Sequence, residues 1–284
     1  MAEAAVTAPA LHPEGSAVPA LRLEGVTCTF ASPDGRGRGY TAVQGVSFSV
    51  AAGEFVSIVG PTGSGKSTLL NVAAGLLAPS EGRALAFGAP VDGINPQAGY
   101  MFQADALMPW KSALENVAAG LEFRGLPRRE AVERARPWLA RVGLDRFGDR
   151  YPHQLSGGMR KRVALAQTLI VDPKIVLMDE PFSALDIQTR QLMENELLDL
   201  WSADRKSVVF ITHDLEEAIA LSDRVLVLSA GPGARLIGEH AVDLERPRDV
   251  AEIRMTPRFL ELHREIWGQL REEVLKGYAQ TKLR

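Results

Sequence analysis

The chain has 284 residues, 46% of them hydrophobic, and a formal net charge of −3 at pH 7, which is the profile of an ordinary globular protein. This charge balance gives no overall attraction to nucleic acid or anionic lipid, so any such partner would have to be bound locally. The single cysteine, Cys28, excludes an internal disulfide, and no apolar run reaches the roughly 18 to 20 residues that cross a bilayer.

The first part of the chain changes from a low-complexity stretch to short strands. Residues 1–20 are rich in alanine and proline, and we expect a disordered arm there. From Leu21 onward, short alternating segments separated by turn residues predict an antiparallel meander of strands over 21–24, 26–30 and 46–50. Further strands are predicted around 83–87 and over 98–103.

A glycine-rich segment lies between a predicted strand, Phe55 to Val59, and a predicted helix that begins at Thr68. The segment matches the pattern G-x-x-x-x-G-K-[ST], in which backbone N–H groups close around phosphate oxygens, a lysine supplies positive charge and a hydroxyl completes a magnesium shell. The helix that follows directs its N-terminal dipole at the anion. The residues that we expect to contact the phosphates and their cation are Gly60, Pro61, Thr62, Gly63, Ser64, Gly65, Lys66, Ser67 and Thr68.

Beyond Gln103 the pattern becomes helical, and residues 104 to about 158 are predicted to form a helical insertion. Ser112 and Glu115 have the spacing of a capping box. Apolar residues then recur at helical spacing up to Gly143, and Pro137 is expected to kink that helix.

The second half of the chain alternates strands with helices. Strands are predicted over 174–178, 207–211 and 224–228, with helices from Met159 and Ile187 between them. This alternation predicts a parallel sheet covered on both faces. Thr256 and Pro257 are predicted to open a last helix, which Gly277 would end.

Two acids, Asp179 and Glu180, end the strand over 174–178. An exposed strand end would also explain them. Beside the glycine-rich loop, however, this position brings Asp179 to the magnesium ion and makes Glu180 the natural general base.

The order of these motifs resembles that of the ATP-binding subunit of an ABC transporter, over about residues 21–245. The glycine-rich loop alone would be shared with kinases, GTPases and helicases. Leu155-Ser156-Gly157-Gly158-Met159, together with Thr212-His213, is what points to the ABC class.

The resemblance implies an α/β fold: a P-loop NTPase (RecA-like) core with an antiparallel β subdomain and a helical insertion subdomain, followed by a C-terminal helical extension over 246–284. It also implies that two copies dock head to tail and enclose two ATP molecules. Each ATP would lie between the P-loop of one copy and Ser156, Gly157 and Gly158 of the other. Asp186 would belong to the loop that crosses this interface.

The resemblance also assigns roles in hydrolysis. Gln103 is expected to touch magnesium or the attacking water, and His213 to contact the γ-phosphate. With Lys66 and Glu180 they form the expected catalytic set, while Ser67, Gln103 and Asp179 form the expected metal set. Phe30 is the expected adenine-stacking residue, with Tyr40 as its rival.

The implied function is ATP hydrolysis that drives solute uptake through an integral membrane permease, at the cytoplasmic face of the membrane and with a solute-binding protein as an indirect partner. The segments 107–110 and 245–249, together with Met159, resemble the nitrate, sulfonate and taurine uptake branch. Residues 106–110 would receive a permease helix, an expectation that fails if Leu107 and Trp110 are both fully buried. We expect no nucleic-acid partner.

Two other functions are compatible with parts of the pattern. A soluble ABC ATPase acting on DNA or the ribosome would usually carry a long coiled-coil insertion or two fused cassettes, and neither is present in this sequence. A P-loop kinase would leave the segment 155–159 and His213 unexplained.

Overall fold

The computed structural model describes residues 18–31 and 39–281. Most of the predicted N-terminal arm, up to residue 17, therefore lies outside the described residues. Among the described residues, no helix combines the length and apolar character needed to cross a membrane.

A six-stranded sheet forms the centre of the molecule, in the spatial order β10-β9-β3-β8-β7-β6. Five neighbouring strands are parallel, as predicted, whereas the edge strand β10 pairs antiparallel with β9 and was not predicted. The bounds are β3 Phe55–Val59, β6 Ala98–Met101, β7 Ile175–Asp179, β8 Ser207–Ile211, β9 Arg224–Leu228 and β10 Leu236–Ala241.

The two faces of this sheet pack against different layers, because successive side chains in a strand point to opposite faces. Phe55, Val208 and Phe210 belong to a cluster that includes the helices of one side. Val56 and Val209 belong to a second cluster, shared with a helix and a smaller sheet on the other side. The helices around the sheet are α1 Lys66–Ala73, α4 Gly157–Leu169, α5 Ile187–Ala203, α6 Leu215–Leu221 and α8 Pro257–Thr281.

The smaller sheet has the order β2-β1-β4-β5, so the predicted antiparallel pairing is confirmed. The predicted meander is not, because 21–24 and 26–30 form one strand, β1, which pairs with both β2 and β4. Its strands are β1 Leu21–Phe30, β2 Tyr40–Val50, β4 Glu81–Ala86 and β5 Ala89–Pro90. The P-loop NTPase core with an antiparallel sheet beside it is the fold class expected from the sequence.

Between β6 and β7 the chain is helical and has a hydrophobic cluster of its own, built on α2 Ala113–Phe123, α3 Arg128–Arg141 and α4. The capping box is confirmed: Glu115 N donates to Ser112 Oγ (3.3 Å), and Ser112 N donates to Glu115 Oε2 (2.8 Å). α3 continues through Pro137 as one helix.

The C-terminal part contains α7 Val250–Ile253 and the 25-residue helix α8. Thr256 accepts a hydrogen bond from Phe259 N (3.4 Å) at the start of α8, which confirms the predicted cap. The prediction that Gly277 ends the helix is wrong, because α8 runs on to Thr281. A glycine inside a helix costs only about 1 kcal/mol relative to alanine, so packing can override it.

Two buried acids lie on the helices α5 and α6, Glu194 on α5 and Glu217 on α6. Glu194 is fully buried and Glu217 is nearly so. Burial raises the pKa of Glu194 to about 7 against the opposing effect of Arg254, and burial raises the pKa of Glu217 to about 8 against a hydrogen bond with Thr212. Both acids therefore keep protons in the folded protein at a pH where the unfolded chain has released them.

Replacing Glu217 by glutamine should flatten the pH dependence of stability. Both folded-state pKa values are raised, so the stabilising effect is complete below the unfolded value of 4.5 and is lost as pH rises towards about 8. The wild type should lose on the order of 3 kcal/mol more unfolding free energy than E217Q between about pH 5 and about pH 9. Urea denaturation across this range measures the difference. The neighbouring exposed acid gives the control, E216Q, which should keep the wild-type slope; equal slopes for all three proteins would contradict the assignment.

Candidate functional site

A cleft of about 570 Å³ lies at the carboxyl ends of β3, β7 and β8. Parallel strands end at the same edge of a sheet, so the loops that follow them converge there. Residues from the predicted P-loop, strand-end and switch segments meet in this cleft. Its lining is Phe30, Tyr40, Ala42, Thr62, Gly63, Ser64, Gly65, Lys66, Ser67, Thr68, Gln103, Glu180 and His213.

The glycine-rich loop has a backbone that only glycine adopts without strain. Gly63 and Gly65 both have φ near +78°. A Cβ at Gly65 would come within 2.5 Å of Val43 Cγ1, so the close approach of β2 also requires glycine there. α1 begins directly after Gly65, and no side chain of the described residues caps it, which leaves its first N–H groups for an anion.

The Lys66 amine is buried, with 6% of the residue exposed, and its Nζ donates to the carbonyl oxygens of Gly60 (2.8 Å) and Pro61 (3.0 Å). Burial lowers the pKa of Lys66, and the carboxylates of Glu180 and Asp179 oppose this shift. A buried cation that is bonded only to carbonyl dipoles is stabilised by any anion that enters the cleft.

Oxygen donors suited to a hard divalent cation lie beside the lysine. Ser67 Oγ donates to Asp179 Oδ1 (3.0 Å), and burial raises the pKa of Asp179 while this hydrogen bond opposes the shift. The Ser64 hydroxyl is buried without a hydrogen-bond partner among the described residues. Hydroxyl and carboxylate oxygens are the donors that Mg²⁺ prefers, and the loop leaves polar groups unsatisfied, so these residues fit a magnesium-bound phosphate chain.

Glu180 lies at the centre of the predicted catalytic set. Its Oε2 is 3.1 Å from His213 Nδ1 and 3.4 Å from Gln103 Nε2. Its backbone is left-handed, with φ near +43°, a conformation that costs a non-glycine residue about 1 to 2 kcal/mol. Glu180 N donates to Ile211 O (2.9 Å) and Ser183 Oγ donates to Glu180 O (3.0 Å), and these bonds hold the carboxylate towards the cleft.

Two further residues position this site and carry no motif signal in the sequence. Tyr100 lies on β6, with its hydroxyl 3.2 Å from Asn71 Oδ1 and 3.5 Å from Asp179 Oδ2. Burial raises the pKa of Tyr100, so the hydroxyl stays a donor to the carboxylate. Asp105 pairs with Lys161 (3.1 Å) and Arg160 (2.7 Å), which fastens the segment after Gln103 to α4.

Four predicted site residues lie together at a second place, outside the cleft lining: Ser156, Gly157, Gly158 and Asp186. Ser156 caps α4 by accepting from Met159 N (3.3 Å), and Asp186 caps α5 by accepting from Thr189 N (3.0 Å). The two caps are neighbours, because a Cβ at Gly158 would come within 2.7 Å of Thr189 Cγ2 and one at Gly157 within 3.7 Å of Leu185.

Both candidates for adenine stacking line the cleft and are similarly exposed, Phe30 at 41% and Tyr40 at 42%. The Tyr40 hydroxyl lies 3.5 Å from Gly63 O, which places this ring directly beside the P-loop.

Comparisons with known proteins give one consistent result. The sequence model of the ABC transporter family matches residues 43–183. An uncharacterised ABC transporter ATP-binding protein of Methanocaldococcus jannaschii is 47% identical over 257 residues, which cover 90% of this chain and 93% of that protein. The taurine import ATP-binding protein of Burkholderia pseudomallei is 44% identical over 258 residues, covering 89% and 98%.

Solved structures agree. A dimeric, post-hydrolysis ATP-binding cassette bound to ADP and Pi superposes with a TM-score of 0.69 at 33% identity, covering 79% of this chain and all of that one. The predicted fold class is thereby confirmed, and so is the predicted activity. The chain belongs to the ABC transporter family as an ATP-binding subunit that hydrolyses ATP.

Proposed function

We propose that two copies of this chain dock head to tail and hydrolyse ATP to drive uptake of a small sulfonate-like anion, such as taurine, through a membrane permease. One observation carries the proposal: the predicted phosphate-binding residues form two groups, one in the cleft and one at the neighbouring caps of α4 and α5. A single chain thus offers half of an enclosed site. The dimeric cassette and the taurine import relatives support the assembly and the solute class.

Within the cleft, each side chain has a role that its geometry supports. Lys66 and the N–H groups at the start of α1 hold the phosphates. Ser67 and Asp179 hold magnesium, and when bound this ion neutralises charge on the phosphate oxygens. Glu180 orients water and accepts its proton, while His213 and Gln103 fix the carboxylate in place.

The second copy completes the site from the other side. Ser156 caps the 13-residue helix α4, and Gly157 and Gly158 begin it, so their backbone N–H groups and the positive helix end face an anion held by the partner's cleft. Asp186 lies next to them and crosses the same interface. Closure on ATP and reopening after hydrolysis supply the movement that a permease uses.

The segment 106–110 is the proposed contact with the permease, at the cytoplasmic face of the membrane. Trp110 is 73% exposed, and Leu107 is only partly buried. The side chain of Asn116 holds this segment in place, because it accepts a hydrogen bond from Met108 N (2.8 Å) and donates one to Lys111 O (3.0 Å). The indole is thus held outward on an ordered loop, as docking of a short permease helix requires. A solute-binding protein would act on the permease and touch this chain only indirectly.

A soluble ABC ATPase acting on DNA or the ribosome is not favoured, because taurine import proteins of several bacteria are among the relatives at 43 to 45% identity.

Glu180→Gln should bind ATP, dimerise persistently and lose turnover, because an amide cannot accept the proton of water. The expected fall in kcat is at least about 100-fold. ATP binding by calorimetry, dimerisation by analytical ultracentrifugation and phosphate release together measure the three properties. Glu216, an exposed acid three residues after His213, gives the control E216Q, which should match the wild type; hydrolysis by E180Q at the wild-type rate would refute Glu180 as the base.

Trp110→Ala should no longer bind the permease but should keep its fold, because 73% of Trp110 is exposed and little packing is lost. The measurements are co-purification with the permease and hydrolysis in proteoliposomes that also hold the solute-binding protein. Taurine should stimulate hydrolysis by the wild type but not by W110A. Phe123→Ala, which removes an aromatic side chain of similar exposure from the end of α2, is the control and should behave as the wild type. Normal co-purification of W110A would contradict the docking assignment.

A further inference from the structure

The C-terminal helix α8 has two parts that pack differently. Its first half is fixed in the main core by Phe259, Leu262, Ile266 and Leu270, all nearly fully buried. Its second half lies beyond these residues, yet Glu273 is still buried there, with 8% of the residue exposed. A buried acid outside the catalytic set calls for a partner.

The partner of Glu273 is a loop between β9 and β10. Glu273 Oε2 accepts a hydrogen bond from Ala230 N (2.8 Å), and Oε1 pairs with Lys276 on the next turn of α8. Burial pushes the pKa of Glu273 up, but Lys276 and the Ala230 N–H outweigh it and hold the pKa below its usual range. The carboxylate is therefore charged at neutral pH, and a charged acceptor makes the stronger hydrogen bond to a backbone N–H.

The loop held by Glu273, residues 229–234, packs directly against the nucleotide cleft. A Cβ at Gly231 would come within 2.7 Å of Gly63 O, so this backbone touches the tip of the P-loop. Gly233 N donates to Thr41 O (2.6 Å) and Ala234 N donates to Ala42 O (3.0 Å). The same loop thereby supports the P-loop and the end of β2 that carries Tyr40.

α8 also passes close to the P-loop at Gly277. A Cβ at Gly277 would lie 3.5 Å from Pro61 Cβ, in ordinary van der Waals contact. Pro61 is the residue whose carbonyl accepts from Lys66.

We propose that α8 braces the nucleotide site: Glu273 is a positioning residue that holds loop 229–234 against Gly63 and β2, close to where α8 passes Pro61 at Gly277. A glycine-rich loop loses much conformational freedom when it closes on phosphates, and a loop that is already held in place loses less. The brace therefore sets nucleotide affinity and leaves the hydrolytic step unchanged. The inference rests on the proposed role of the P-loop in holding phosphates.

The first test replaces Glu273. ADP is titrated calorimetrically in the presence of Mg²⁺, and KM and kcat for ATP are measured alongside. Glu273→Ala should weaken ADP binding and raise KM about three- to tenfold with kcat unchanged, because Ala230 N loses its buried acceptor. Glu273→Gln keeps an acceptor oxygen and should restore most of the affinity. Glu265→Ala, which removes a tie from the same helix to His240 on β10, should bind ADP as the wild type does.

The second test changes the surface of α8 that lies nearest to the P-loop. Gly277→Leu places a side chain against Pro61 and should weaken ADP binding by a similar factor. Gly268→Leu is the matched control, because a Cβ at Gly268 meets nothing within 4 Å, and its ADP affinity should be unchanged. Both substitutions replace a helical glycine by the same residue, so a difference between them reports the contact with the P-loop.

Wild-type affinity in both E273A and G277L would overturn the inference, and so would a loss in E273A that E273Q fails to restore. Equal losses in the tested variants and their controls would also overturn it, since they would show a general effect of disturbing α8. A different result would show that the P-loop does not hold the phosphates: Lys66→Ala would then bind ADP as tightly as the wild type.

Discussion

The buried ammonium group of Lys66 is the physical constraint on which the arrangement of the nucleotide cleft depends. Lys66 Nζ is removed from water and bonded to two loop carbonyls, with the carboxylates of Asp179 and Glu180 near enough to oppose the fall in its pKa. Desolvating a charge without a direct counter-ion is unfavourable, and negative charge entering the cleft relieves that cost. The unsatisfied hydroxyl of Ser64 and the uncapped start of α1 act in the same direction. The loop is therefore suited to a polyphosphate, in agreement with the ATPase family to which the chain belongs.

The strands of the central sheet position Asp179, Glu180 and His213 around that charge. Side chains outside the motifs link the surrounding loops to neighbouring elements. Asp105 joins the segment after Gln103 to the helix that begins at Ser156. Arg190 donates to Leu185 O (3.0 Å) and lies 3.4 Å from the Asp214 carboxylate, so it links the loop before α5 to the loop that carries His213. Glu273 does the same for the loop beside Gly63. These three loops at the cleft and the cap region are thus fastened to helices, which is a physical route for coupling closure to movement.

The sequence was sufficient wherever one local pattern decides the structure. Phe55–Val59, Ser207–Ile211 and Arg224–Leu228 have the predicted bounds because apolar β-branched runs in a fully buried sheet leave no alternative register. β10 and α6 were missed, since the half-exposed strand lacks clear alternation and the seven-residue helix is too short to show a period. Gly277 was misread because the low helix propensity of one glycine is not enough to end a long helix such as α8. The motifs identified the residues of the cleft, whereas Tyr100, Asp105 and Glu273 act through long-range contacts that no local spacing encodes.

The central claim is that one copy holds the triphosphate and the other completes the enclosure, and mixing two inactive variants tests it most directly. Lys66→Ala damages only the cleft. Gly157→Asp damages only the cap region, where a Cβ fits within the monomer at 3.7 Å from Leu185. Each variant alone should be inactive, whereas their mixture should regain hydrolysis, because a mixed dimer contains one site with an intact cleft and an intact cap. A mixture as inactive as its parents, or full activity of G157D alone, would contradict the account.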